Sequence, residues 1–202
     1  MSKNPVLAAQ MLCDQHVIAC SKEAVQMLCQ AYRQYVPSFM LANTELYKES
    51  HMNHPCTRWV AASPKHYAWL TKHAAAMFEE YTRRFGRKHK SEVMFDRVKE
   101  VPYALTYRHH VENFFEPPLV MPDQYKVPGK AVESYRRYYI AEKLRFESEA
   151  GRVSFARWTL GEPPYWCAQE AERVRNAYAS EQLLRKAREA KAGKRRSKAG
   201  AV

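Results

Sequence analysis

The chain has 202 residues, 46% of them hydrophobic and 12% aromatic, which is enough for one domain with a real core. Its formal charge is +12 and its pI near 9.5, a balance that points to a polyanionic partner. No apolar run reaches transmembrane length and the first residues carry no signal-peptide core, so neither a membrane-spanning nor a secreted protein is expected, and the expected location is cytoplasmic.

The charge is uneven. Leu183 to Val202 holds eight Lys or Arg and one Glu, a net of +7, which leaves +5 on the other 182 residues. Residues 1–182 therefore read as a single helical domain and 183–202 as a basic tail, which fits either a solvated end or a nucleic-acid arm. The five Cys form no CxxC pair, and three of them lie in the first helical stretch beside apolar neighbours, so they read as buried, reduced thiols.

Taken in chain order, the first feature is a small residue after Met1. Its removal would give Ser2 a free α-amine, a group with a reference pKa of about 7.7–8.0, against about 10.4 for Lys. Such an amine is substantially neutral at cellular pH and can form an imine. Asn4 is a good helix cap and Pro5 a good first helical residue. From Val6 to Val36, Leu12, Val17, Cys20, Ala24, Met27, Leu28, Ala31 and Tyr35 recur at helical spacing, and one helix is expected there. It carries the polar trio Asp14-Gln15-His16 and, seven residues past the His, Glu23. Seven residues is close to two turns, so His16 and Glu23 share a face.

Residues 37–57 read as loop. A second helix is expected from Pro64, capped by Ser63, with the stripe Tyr67, Leu70, Ala74, Met77, Phe78, Tyr81, Phe85 and a stop at Gly86. Residues 87–129 read as irregular, with one short helix near 91–99. A third helix is expected over 131–148, and a fourth from Cys167 into the basic tail. No strand alternation appears, so the fold class is mainly α: a compact helical bundle with long irregular loops.

Several clusters have two readings. Glu23 fits either proton transfer or a solvated helix face beside Lys22. Gln15 can read base edges and His16 can contact phosphate, whereas Asp14 fits a structural network with a neighbour. Arg83, Arg84, Arg87 and Lys88 surround the helix stop at Gly86; they can neutralise phosphates or complement the helix macrodipole. Trp158, Tyr165 and Trp166 can stack on an exposed base or cap the bundle. His51, His54 and Cys56, with His66, His89, His109 and His110 as partners, match no strong zinc spacing. No metal and no cofactor is expected.

Met1-Ser2-Lys3, Asp14-Gln15-His16, Lys22 and Glu23 together resemble, without a gap, the N-terminus of the pyrimidine-dimer DNA glycosylase/lyase family. Ser63 to Leu70 and Arg84-Phe85-Gly86 resemble its second long helix. His54-Pro-Cys-x-x-Trp59 and Tyr138-Tyr139 resemble a longer, phage-type branch. The resemblance implies a glycosylase with abasic-site lyase activity on double-stranded DNA, acting on a damaged or modified pyrimidine. It implies Ser2 as the Schiff-base amine, Glu23 as the indispensable carboxylate, and Lys3, His16 and Lys22 at the DNA; the residue patterns above add Gln15, Arg83, Arg84, Arg87, Lys88 and Trp166 as DNA contacts. The chain departs from the family at Gln26, where a second basic contact is expected. The alternative is a non-catalytic nucleic-acid-binding protein of the same fold; a helical scaffold with an RNA- or partner-binding tail ranks below both. A monomer is the expected state.

Overall fold

The computed structural model describes residues 1–41, 44–108 and 115–199. Among the described residues there are nine helices and a single two-stranded hairpin, so the expected helical fold is the one adopted.

The first predicted helix is two. Asn4 caps α1 (Pro5–Gln10), its Oδ1 accepting from the Val6 and Leu7 N–H groups at 2.9 and 3.2 Å. The chain breaks at residues 11–13 and restarts as α2 (Asp14–Tyr35). Distant side chains satisfy both loose ends. Arg84 donates to the Leu12 and Gln10 carbonyls at 2.8 and 3.2 Å, and Trp158 Nε1 donates to the Met11 carbonyl at 3.2 Å. The Cys13 N–H donates to Tyr139 Oη at 2.9 Å and the Asp14 N–H to the Arg157 carbonyl at 2.7 Å. With these orphan groups paired, the break carries little desolvation cost.

One short helix, α3 (Ser38–Leu41), lies in the segment expected to be loop, and another, α4 (Pro55–Ala61), begins at its end. The α4 start is written in His54-Pro55, since His54 Nδ1 accepts from the Cys56 N–H at 3.2 Å and Pro55 sits in the first turn. The second long helix, α5 (Pro64–Phe85), has its predicted bounds, with Ser63 Oγ accepting from the Lys65 N–H and Gly86 left-handed at φ 66°. The short helix expected near 91–99 is α6 (Glu92–Val98), and α7 (Tyr103–Arg108) follows Pro102.

The third predicted helix ends early. It is α8 (Ala131–Glu142), and the chain then makes an antiparallel hairpin of β1 (Arg145–Glu147) and β2 (Val153–Phe155), with Phe146 opposite Ser154. Three-residue strands are too short to register as alternation, which is why none was expected. The last helix, α9 (Ala168–Ala199), continues through residue 183.

The core lies where α2 packs on α4, α5 and α6, with α1 against α5. Val17, Val25 and Leu28 from α2 meet Tyr67, Leu70, Met77 and Phe78 from α5, all buried as the stripes require. Each such side chain contributes about 1.5–3 kcal/mol on burial. This seam fixes the helix that carries Glu23 against the helix that holds the N-terminus.

Candidate active site

A chain terminus frays unless it is tied down, and here the first five residues are tied at every step. Arg136 of α8 donates from Nη2 and Nε to the Met1 carbonyl at 2.9 and 3.1 Å. The Asn4 N–H donates to Ser2 Oγ at 3.1 Å. Trp69 Nε1 donates to the Lys3 carbonyl at 2.8 Å, and His73 Nδ1 to the Pro5 carbonyl at 2.8 Å. Lys3 Nζ pairs with Glu116 at 3.0 Å, and the other Glu116 oxygen accepts from the Ala131 N–H at the start of α8.

These anchors place Met1, Ser2 and Lys3 on the wall of a cavity of about 280 Å³, among Cys20 and Met27 of α2, Cys56, Trp69, His73 and Tyr135. The α-amine, on Met1, lies 3.1 Å from Met11 Sδ, a weak acceptor. Burial pushes its pKa from about 8 down to about 5, with the Arg136 charge acting the same way and Cys167 opposing. It is therefore unprotonated at neutral pH.

Glu23 is on the exposed side of α2, between Cys20 and Met27 on one helical stripe. It lines a second, more polar cavity of about 460 Å³ with Gln26, Gln30, His51 and His54. Met27 and Cys56 stand in the walls of both cavities. The amine and the carboxylate thus occupy neighbouring chambers that share a partition.

The remaining predicted site residues divide by burial. Lys22, Arg87 and Lys88 are exposed, without an ion-pair partner among the described residues. Lys3 is largely exposed despite its pairing with Glu116. Arg83 is half-exposed but engaged, donating to the Leu160 carbonyl at 2.8 Å and to Glu80 at 2.6 Å.

Arg84 departs from its expected place at the phosphates. Its side chain is 2% exposed and bonds to Asp14, Glu80 and two carbonyls, which leaves nothing for DNA. Glu80 and Asp14 neutralise it, and Asp14 also accepts from Thr159 Oγ1 at 2.7 Å and the Thr159 N–H at 3.0 Å. Asp14 is thus one arm of a buried network joining α2, α5 and the segment before α9.

Gln15 and His16 also turn inward. Gln15 Nε2 donates to the Phe155 carbonyl at 2.9 Å and pins the hairpin. His16 Nδ1 lies 3.0 Å from Tyr139 Oη, which accepts from the Cys13 N–H, and 3.3 Å from Cys13 Sγ. Burial, with Lys143 nearby, holds the His16 pKa down at about 4. An imidazole that stays neutral gives no charged contact to phosphate. Trp166 is partly buried, edge-on to Tyr139 at 5.6 Å, with the Arg136 guanidinium 5.5 Å from its ring centre.

Sequence reasoning left Trp69, His73, Glu116 and Arg136 out of the site. Their partners are the Met1, Lys3 and Pro5 carbonyls and the Lys3 ammonium, up to 135 positions away, a relationship with no local pattern to find. Among the described residues no group of three His, Cys, Asp or Glu could hold a metal ion; His109 and His110 lie outside them. All five Cys are free thiols, and among the described residues no helix is long and apolar enough to cross a membrane.

Residues 3–95 match the family model described as pyrimidine dimer DNA glycosylase. No curated protein and no solved structure matches the chain. The matched stretch covers α1 to the middle of α6, so α8, the hairpin and α9 lie beyond it.

Proposed function

We propose that this chain, whose residues 3–95 belong to the pyrimidine dimer DNA glycosylase family, removes a damaged or modified pyrimidine from duplex DNA and cleaves the abasic strand through an imine on its N-terminal amine. One observation carries the mechanism: the N-terminus is held at an apolar cavity lined by both Met1 and Ser2, where burial pushes the Met1 α-amine down to about 5, and removal of Met1 would leave the Ser2 amine at the wall of the same cavity. Lys ammoniums need comparable burial to reach that state; an α-amine starts closer.

In this reading Met1 is excised and Ser2 carries the amine. The amine lone pair attacks C1′, and the glycosidic bond breaks with its electron pair leaving on the base, which takes up a proton. The amine loses a proton, the C1′–O4′ bond opens with O4′ protonated, and a C1′=N iminium remains. Loss of the C2′ proton then expels the 3′ phosphate with the C3′–O electron pair, and water later hydrolyses the imine. Glu23, beside the shared partition, stabilises the cationic sugar and carries protons between these steps. Lys3, Lys22, Arg83, Arg87 and Lys88 hold phosphates, and a site whose pairing is already weak is the least costly to open.

A binding protein of the same fold without amine chemistry is the second reading. It is favoured by Gln26 in place of a basic contact and by Met1, which here lines the cavity ahead of Ser2. Strand cleavage separates the two. A duplex with one abasic site tests the lyase alone, and one with a single pyrimidine photodimer tests base removal as well. Scission of the abasic strand supports the enzyme; tight binding with no scission supports the binding protein.

A further inference from the structure

Arg136 is the best-placed charge in the molecule that the family match does not cover. It lies on α8, beyond residue 95, yet its fork closes on the first residue of the chain. Two hydrogen bonds to one carbonyl fix both distance and direction. The guanidinium is itself held: Nη1 donates to Tyr165 Oη at 3.3 Å, and the Tyr165 and Trp166 rings lie 5.6 and 5.5 Å away. Trp166 in turn packs edge-on against Tyr139, the hydroxyl partner of His16. The cation is thus braced from behind and aimed at the N-terminus.

We propose that Arg136 acts on the nucleophilic amine through its charge: the guanidinium, braced by Tyr165 and Trp166, is held beside the N-terminus and disfavours protonation of the amine there. The inference rests on the imine reading above. Excision of Met1 removes the carbonyl that the fork holds but not the charge beside it, because the Ser2 nitrogen is bonded to that carbonyl carbon and so lies next to the guanidinium. Excision would leave the new amine beside the same guanidinium.

The other groups around the amine cannot supply this charge. His73 of α5 is kept neutral by burial, and the Cys167 thiol, ahead of α9, is pushed up to about 11 by burial. Tyr135 is likewise neutral, raised to about 12. Met11 Sδ is uncharged, and Lys3 is matched by Glu116. Arg136 is the remaining cation facing the site among the described residues.

The test is the pH dependence of borohydride trapping on an abasic-site duplex, for the full chain, R136Q and R136K, each with its duplex affinity measured alongside. For R136Q the midpoint of the rising limb moves up by about one pH unit from about 5, so trapping at pH 5 falls about fivefold and recovers by pH 8. R136K keeps the charge, and its midpoint stays near wild type. If R136Q does not fold, R136M, which also removes the charge, takes its place. A wild-type midpoint in the folded charge-free variant overturns the role of Arg136 and leaves the imine reading standing. No adduct from the wild-type chain overturns both.

Discussion

The Arg84 guanidinium lies 3.1 Å from the Asp14 carboxylate, which joins the last turn of α5 to the first turn of α2 across the break after α1. The same guanidinium pairs with Glu80 and closes the loose carbonyls of Gln10 and Leu12. One buried side chain therefore sets the geometry between the helix of Glu23 and the segment that leads back to the amine.

Removing it leaves two carboxylates and two carbonyls without their partner in a dry site. Arg84→Met should therefore lower the unfolding free energy by about 3–5 kcal/mol, read from urea melts. Arg87→Met, exposed one residue past Gly86, should change it by no more than about 0.5 kcal/mol. Equal effects would contradict the division between buried and phosphate-facing arginines.

His16 supplies a pH test. Its pKa is about 6.5 unfolded and about 4 folded, so the folded chain binds fewer protons in that interval. Stability is fully present above the unfolded value and is lost as pH falls from about 6.5 towards 4, by at most about 3 kcal/mol. His16→Gln should flatten that part of the stability–pH curve. A variant as pH-sensitive as the wild type over this range would show that His16 is not held neutral.

Glu23→Gln keeps the shape of the side chain and removes its proton-carrying function. Strand scission should fall by about 10²–10⁴-fold, while duplex affinity stays within about twofold of wild type, since Glu23 is no phosphate contact. Gel-based cleavage with a parallel binding titration reads both. Scission at the wild-type rate would remove Glu23 from the chemistry.

The exposed cations should appear in the salt dependence of binding. Arg87→Ala and Lys88→Ala should each reduce the slope of log K against log salt by about 0.9. A slope unchanged in the double variant would place the DNA elsewhere on the surface.

Much of this could be read along the chain because the signals are local. Ser63-Pro64 and Gly86 bracket α5 through a hydroxyl cap, a fixed φ and a left-handed stop, all within a few residues. The α2 stripe needed only its 3.6-residue period. What escaped depends on partners far away. The break at residues 11–13 stands on Arg84, Tyr139 and Trp158, so continuous periodicity over it was misleading. Gln15 and His16 face the hairpin and Tyr139 because elements after residue 138 cover that side of α2, and a basic residue such as Arg84 gives no sign in sequence that two acids await it. His54-Pro55 did carry a local start signal for α4, and its short length hid the helix.

The most direct measurement is borohydride trapping of the mature chain on a duplex with one abasic site, followed by mass mapping of the modified peptide. The account expects one adduct, on the N-terminal amine, formed readily at pH 7. An adduct on a lysine, or none while the duplex stays bound, would contradict it.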